Sequence, residues 1–438
     1  MSANYILNNP AWLREIPSHW DCKKIGSLFT ERKVKVSDKE YPPLSVAKIG
    51  VVPQLDTAVK TDAGDNRKLV RIGDFVINSR SDRKGSCGVS ELDGSVSLIN
   101  IVLTPRNLWN SRYVHYLLRS QPFSEEYYRN GRGIVADLWT TRYSEMKSIL
   151  LPIPPRPEQD QIVRFLDWKV ASINKLIGVK QRQISTLKEL MQAEIEKQLH
   201  IYSVVDTVRL KQLGTFFKGG GFSRDNLVKG GGYPAILYGD IYTQYEYKTS
   251  VITHSIDSNA YDASRKIVKS DIVMAGTGET KDEIGKSILY RGDEVVAAGG
   301  DVIVFRPNEG INVEYLLYQL YSQAALKHRY IHGKGDIIVH IYPAALGDML
   351  ISFPDEENQV KAVERIDEII DQVKKAIASL TKEISILREF KARLVADTVT
   401  GKIHVRDVEI PEYEFSEETD LAGESDEQDY EDSTEGEE

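Results

Sequence analysis

Apolar residues recur along two long stretches of the chain at alternating spacings of three and four. This a/d heptad pattern predicts two long helices, each with a narrow apolar seam that needs a partner helix rather than a broad core. The seam of the first helix comprises Val163, Leu166, Val170, Ile173, Ile177, Ile184, Leu187 and Met191. The seam of the second helix comprises Val363, Ile366, Ile370, Val373, Ile377, Leu380, Ile384 and Leu387.

The two helical stretches are copies of one another, because residues 200 positions apart match without a gap. Gln159 matches Gln359, and Asp167 matches Asp367. The seams differ at one position, where Lys180 stands in place of an apolar residue. A seam lysine either fixes the register of the pair or extends its ammonium group into solvent, and both interpretations are open.

The segments that precede the helices alternate short apolar runs with glycine-rich turns, which predicts strands, and each adds a helical stretch. The stretch Gly73–Ile77 matches Ser270–Met274, and Gly131–Gly133 matches Gly333–Gly335. The predicted fold class is α+β, with two similar globular domains separated by an antiparallel coiled coil. The predicted order is a first globular segment at 1–153, a helical spacer at 154–203, a second globular segment at 204–352, a second spacer at 353–410, and a tail at 411–438.

Chain order limits how these parts are arranged. The second globular segment begins where the first helix ends, so the second helix can pair with the first only by running back along it. We therefore expect an antiparallel, pseudo-twofold pair and a spacer of roughly 50 Å, at about 1.5 Å per residue. Such a molecule suits duplex DNA with two half-sites on one face, and the half-sites should differ because the domains differ.

Composition narrows the class of protein. The 438 residues are enough for two or more domains. No run of 18 apolar residues and no signal pattern is present, so we expect neither a membrane span nor secretion. Cys22 and Cys87 form no zinc or disulfide framework, which indicates a cytoplasmic location.

The net charge of −9 is unevenly distributed. Residues 411–438 contain 14 Asp and Glu and no Lys or Arg, so the rest of the chain is mildly basic, with a net charge of +5. We expect this tail to be disordered and solvated. The alternative is an acidic segment that competes with DNA for the basic surface.

Cations and small polar residues cluster in loops of both globular segments, as contacts to DNA phosphates and base edges require. For any single residue an ordinary solvated charge is the alternative, and the clusters as groups are the prediction. The candidates in the first segment are Lys33, Lys35, Arg80, Arg83, Lys84, Arg132, Trp139 and Arg142. Those in the second are Lys218, Arg224, Thr277, Thr280, Lys281, Lys334, His340 and Tyr342.

No catalytic motif emerges from the sequence. The stretch Gly278–Ser287 is similar to a phosphate-binding P-loop, but six residues separate its glycines instead of four, and a strand-like run follows it. The histidines form no metal-ligand cluster, and no nucleophile-base arrangement can be argued. We therefore expect a binding module without a metal or a cofactor.

The sequence resembles the specificity subunits of type I restriction-modification enzymes. The residues that carry the resemblance are Pro154-Pro155-Arg156-Pro157-Glu158-Gln159 before the first helix, their weaker copy at 354–359, Val208-Arg209-Leu210, and the run from Leu387 to Ile403. The resemblance extends from about residue 15 to 408. Asn358 departs from Glu158 of the first copy, which puts equivalent contacts there in doubt.

The resemblance implies that each globular domain reads one half of a bipartite DNA site, while the helix pair sets the gap. It also implies two modification subunits that dock on the helices and carry S-adenosylmethionine, and restriction subunits that use ATP and Mg²⁺. The alternative is a structural adaptor that recruits proteins through the helix pair without specific DNA binding. A third class, an autonomous nuclease or methyltransferase, lacks any motif.

Overall fold

The first globular segment builds small sheets from its predicted apolar runs. The computed structural model describes residues 11–13, 16–54, 64–106, 109–133 and 139–413. The strands are β1 (Asp21–Lys24), β2 (Phe29–Glu31), β3 (Lys35–Val36), β4 (Leu44–Ala47), β5 (Gly50–Pro53), β6 (Arg67–Val70), β7 (Phe75–Asn78), β8 (Cys87–Val89), β9 (Gly94–Val96), β10 (Asn100–Pro105) and β11 (Leu150–Ile153). The helices are α1 (Ile25–Leu28), α2 (Ser111–Arg119), α3 (Gln121–Arg129) and α4 (Tyr143–Met146), with 3-10 turns at Ala11–Leu13 and Ser81–Arg83.

Strand β7 lies inside the main sheet of this segment, whose strand order is β2-β10-β7-β8. All four of its residues are buried, as expected for a strand that is covered on both faces. A second sheet, β3-β6-β9, packs over it. The core between these strands consists of Val70, Val76, Val96 and Val102, together with Leu44 of β4.

The second globular segment repeats this plan with more strands. They are β12 (Asp206–Arg209), β13 (Gly214–Lys218), β14 (Tyr233–Ile236), β15 (Lys248–Thr249), β16 (His254–Ile256), β17 (Arg265–Ile267), β18 (Ile272–Ala275), β19 (Thr277–Gly278), β20 (Ser287–Tyr290), β21 (Val296–Ala298), β22 (Val302–Pro307), β23 (Val339–His340) and β24 (Leu350–Phe353). The helices are α6 (Tyr238–Thr243), α7 (Ser258–Ala263), α8 (Val313–Gln319), α9 (Gln323–His332) and α10 (Pro343–Gly347).

Alternation along β18 explains how the second segment packs. Successive side chains of a strand point to opposite faces. Ile272 and Met274 therefore enter the core beneath helices α8 and α10. Val273 and Ala275 enter a second core that faces the β16-β14-β21-β17 sheet.

Each heptad stretch forms one long helix, α5 (Arg156–His200) or α11 (Glu356–Val399). The chain divides into two compact units, and both helices contribute to both units. Unit 1 comprises Met1–Arg182 and Leu380–Glu438, and unit 2 comprises Gln183–Ser379. The predicted seam residues are buried or half-buried throughout.

The two helices run antiparallel, as predicted, and two contacts at different heights show this in unit 1. In unit 1, Lys180 of α5 contacts Glu383 of α11. Asn174, which precedes Lys180 in α5, accepts a hydrogen bond from Lys391, which follows Glu383 in α11. In unit 2, Ile195 and Leu199 of α5 share a core with the start of α11, at Ala362, Val363, Ile366 and Ile370. Moving back along α5 thus means moving forward along α11, and the predicted α+β class with paired helices is confirmed.

Lys180 makes an interhelical ion pair with Glu383 instead of extending freely into solvent. Its side chain is only 16% exposed, so the lysine belongs to the seam. Of the two interpretations that the sequence left open, this contact supports the one in which the lysine fixes register.

The matched aspartates Asp167 and Asp367 tie each globular segment to its helix in the same way. Asp167 accepts hydrogen bonds from Arg112 and Tyr116 of α2 within unit 1. Asp367 accepts them from Lys248 and Tyr318 within unit 2. Burial, with the adjacent carboxylate, raises the pKa of both tyrosines, so their hydroxyl groups remain donors.

Glu158 and Asn358 make different contacts, which accounts for the departure of the second lead-in. Glu158 is buried, and it accepts hydrogen bonds from His19 and from Arg406 beyond α11. Asn358 instead bonds Asp355 within its own lead-in. Glu158 therefore joins the segment before β1 to the segment after α11, a role that Asn358 does not share.

Among the described residues, no helix combines the length and apolarity that crossing a membrane requires. Residues 414–438, most of the acidic tail, lie outside the described residues, so the expectation of disorder stays a prediction.

Candidate nucleic-acid interface

The structure joins two cationic loops of the first segment that the sequence singled out separately. We call residues 79–86 the post-strand loop and residues 131–142 the glycine loop. Thr140 pairs with both Arg80 and Arg132. Ser81 donates its backbone N–H to Trp139, and Thr141 donates to Ser79. These bonds fix the bases of both loops side by side, whereas residues 134–138 lie outside the described residues.

The second segment repeats this junction with equivalent residues. Its post-strand loop is residues 276–286, and its glycine loop is residues 333–342. Strand β19 pairs with β23, so that Thr277 faces His340. Lys334 and His340 exchange backbone hydrogen bonds, as Arg132 and Thr140 do, and Ile341 donates to Gly276 as Thr141 does to Ser79. In each unit, therefore, the post-strand loop and the glycine loop together form one surface.

Three predicted cations of the first segment, Lys33, Arg80 and Arg142, line one open groove of about 890 Å³. Lys68 and Lys147 line it too, and Glu31 is the acidic residue among its walls. Leu98 and Ile99 form an exposed apolar edge, 38% and 42% accessible. A basic concave surface with an apolar edge is a suitable contact for DNA phosphate and sugar.

Lys68 is the most constrained cation of this groove. Its ammonium group donates to the carbonyl oxygen of Asn100 at 2.6 Å. Burial lowers its pKa, nearby Glu31 opposes that change, and Lys33 adds to it. A phosphate in the groove would supply the negative charge that favours the protonated form of this lysine.

In the second segment the side chains reinforce the loop junction. Thr277 is buried, and its hydroxyl lies 2.9 Å from His340 Nδ1, so it positions His340 instead of facing solvent. The Lys218 ammonium group is 5.8 Å from the centre of the exposed Tyr342 ring. Lys281 and Asp336 join the two loops through a 4.0 Å ion pair, and Thr280 is exposed beside them.

The remaining candidates lie elsewhere on the loops. Arg83 and Lys84 are not among the groove-lining residues, and Lys84 instead lies 6.0 Å from the Tyr128 ring centre. Lys35 pairs with Lys68 across β3 and β6, which brings it close to the groove. Arg224 is exposed on a 3-10 turn beside Gly239.

Sequence reasoning missed two residues of the first-segment groove and one residue that supports the second-segment junction. Lys68 could have been found, because strand alternation puts it opposite the buried Arg67 and Leu69. Lys147 follows a four-residue helix, for which the sequence gives no strong signal. Arg329 is buried, and it donates to the Gly285 carbonyl oxygen at 2.8 Å, which supports the post-strand loop from below.

The comparisons with known proteins point to one class. Residues 202–384 match the family model of the type I restriction modification DNA specificity domain. A stretch of 148 residues, 34% of the chain, is 26% identical to the type I restriction enzyme StySPI specificity subunit of Salmonella potsdam. That stretch spans 32% of this relative, about a third of its length.

A solved structure shows the same fold over most of the chain. A chain from a structure of complex assembly and conformational transition of the type I R-M system aligns with a TM-score of 0.62 at 15% identity. The alignment covers 89% of this chain and 99% of that chain. The HsdS subunit from Thermoanaerobacter tengcongensis aligns with a TM-score of 0.45 at 15% identity, over 91% and 100% of the two chains.

Proposed function

We propose that the chain is the DNA-reading subunit of a type I restriction-modification complex, because residues 202–384 match the family model of the type I restriction modification DNA specificity domain. It has no catalytic role of its own in this proposal. Each globular segment reads one half of a bipartite site in double-stranded DNA, and the helix pair sets the gap between the halves.

The observation that carries the proposal is the duplicated loop junction. In each unit a post-strand loop and a glycine loop form one surface with exposed cations. Lysine and arginine contacts to phosphate position a duplex, and the same loops offer side chains to base edges. A single basic loop would be an ordinary surface, but the same junction built twice indicates two equivalent contacts with one ligand.

The side chains at equivalent positions differ, which supports two different half-sites. Arg80 corresponds to Thr277, and Thr140 corresponds to His340. Arginine favours guanine, whereas the Thr277 hydroxyl is buried against His340 and leaves no cation at that position. The site is therefore asymmetric in this proposal.

The helix pair is the proposed dock for two modification subunits, which carry S-adenosylmethionine, with restriction subunits adding ATP and Mg²⁺ chemistry. Apolar side chains left exposed on the helices support this. In unit 1 they are Leu176, Val179, Ile386 and Phe390, all at least 36% exposed. By heptad position these four lie on one side of an antiparallel pair, where a partner would cover them.

A segment exchange tests the proposal. Residues 15–150 are replaced by the matching segment of a related subunit, and the sites modified in cells are mapped before and after. We expect one half of the site to change while the other half and the gap persist. A change in both halves would contradict separate reading, and modification without any sequence preference would favour the adaptor alternative.

A further inference from the structure

The glycine loop of the second segment exposes two adjacent isoleucines at its tip. Ile337 is 88% exposed and Ile338 is 56% exposed. Isolated apolar side chains are common on protein surfaces. Two in succession at a loop tip, next to the candidate DNA surface, are an unusual arrangement that needs an explanation.

The backbone holds this tip firmly. Gly335 has φ of +114°, and a Cβ on it would lie 2.0 Å from the Ile338 carbonyl oxygen, so the turn requires glycine. Lys334 and His340 close the loop with N–H to O=C distances of 2.9 and 2.8 Å. The isoleucines therefore project from a built loop whose base is fixed by β19 and β23.

The neighbours of the isoleucines indicate which ligand covers them. Lys334 is exposed, and the Asp336 side chain is fully exposed, with Lys281 4.0 Å away. The tip thus presents a cation, a carboxylate and an apolar surface within five residues. These are the groups that read guanine, cytosine N4 and the thymine methyl group in the major groove.

We propose that the loop 334–340 enters the major groove of duplex DNA and that Ile337 and Ile338 contact thymine C5-methyl groups. This inference rests on the proposed function, and it names the side chains that supply part of the base recognition in one half-site. A partner protein is the other ligand class for an apolar tip, and the exposed ionic groups beside the isoleucines favour DNA.

The test removes the methyl group from the DNA and the isoleucines from the protein, separately and together. The wild-type full chain first selects duplexes from a random-sequence pool. Each thymine of the selected duplex is then replaced by deoxyuridine, which removes only the methyl group. We expect binding to weaken about fourfold per methyl contacted, from burial of one methyl-sized group. The affected positions should lie in one half-site.

The double variant I337A/I338A should bind the thymine duplex more weakly than wild type does. It should bind the thymine and the deoxyuridine duplexes equally well. I337V/I338V should keep most of the thymine preference, because valine remains apolar. Val251, which is 70% exposed in the same unit, gives the control V251A, which should behave like wild type.

Several results would overturn the proposal. One is an undiminished thymine preference in I337A/I338A, and another is a selected site in which no thymine methyl matters. A third is a double variant that selects DNA normally but no longer binds a protein partner. If wild type recovers no sequence at all, the proposed function itself fails, and this outcome is distinct from the other three.

Discussion

Lys147 offers the cleanest test of the first-segment groove at the scale of single residues. It is exposed and lines the groove, so its removal changes charge with little effect on packing. We expect K147A to weaken DNA binding for all sequences alike and to lower the slope of log affinity against log salt by about 1. Binding titrations at several salt concentrations measure this.

Lys23 provides a matched control for this substitution. It is 54% exposed, pairs with Asp21, and lies outside the groove. K23A should leave the salt slope unchanged. Equal slopes for K147A and wild type would remove the groove from the DNA interface.

The turns before the two central strands give a second prediction. Gly73 has φ of +88°, and the equivalent Ser270 has φ of +73°. Serine pays a steric cost in this left-handed region that glycine avoids. S270G should therefore raise the free energy of unfolding by about 0.5 kcal/mol, measured by denaturant titration.

The reverse change in the first segment is its control. A Cβ on Gly73 would meet no atom within 4 Å, so G73S tests backbone conformation alone. It should lower the free energy of unfolding by about 1 kcal/mol. If S270G lowers the free energy of unfolding instead, the serine side chain stabilises the fold by more than its left-handed backbone conformation destabilises it.

The sequence identified some residues of the loop junctions and the groove and missed others, because only some of the signals are local in the chain. Arg80, Arg132 and Lys334 were found because cations beside glycine turns are visible in a single sequence. Lys68 and Arg329 were missed because their roles depend on tertiary contacts, with Asn100 and Gly285 respectively. Thr277 was found, but its burial beneath His340 follows only from strand pairing.

At the scale of elements, the lysine in the α5 seam makes the sharpest prediction. Leucine in place of Lys180 restores the heptad pattern and removes one ion pair of small net value. K180L should raise the free energy of unfolding by about 1 kcal/mol. Chemical denaturation measures this change. Glu383, which is 48% exposed, can be solvated after the change.

The opposite substitution, L380K, serves as the control. It buries a second ammonium group in the seam and should cost about 2 kcal/mol. A K180L variant less stable than wild type would show that the ion pair with Glu383 outweighs apolar burial.

The helix pair was predictable almost residue by residue, because a heptad repeat is a local pattern that one sequence displays in full. Sheet order was not, because pairing such as β10 with both β2 and β7 joins residues far apart in the chain. The aspartate ties at Asp167 and Asp367 were visible only as a sequence match, with no indication of their partners.

At the scale of the whole molecule, the proposed spacing role of the helices can be tested by length. One heptad inserted between Arg182 and Gln183, and another between Ser379 and Leu380, keeps the seam in register at matched heights. Seven residues add about 10.5 Å, so the gap in the modified sites should widen by about three base pairs. Mapping of modified bases measures the gap.

An insertion in α5 alone is the control, because it shifts the seams out of register and should destabilise the protein. If the double insertion leaves the gap unchanged, the helices do not determine the spacing between half-sites.

Unit 1 is assembled from two chain segments, whereas unit 2 is continuous, and this has a consequence for synthesis on the ribosome. The first half of the α5 seam emerges long before its partner at residues 380–399. At about 5–20 residues per second, the intervening 200 or so residues take roughly 10–40 s to translate. During that interval unit 2 can complete its fold while the apolar seam of unit 1 remains exposed to solvent. The α5 seam of unit 1 therefore stays exposed on the nascent chain until residues 380–399 have been made.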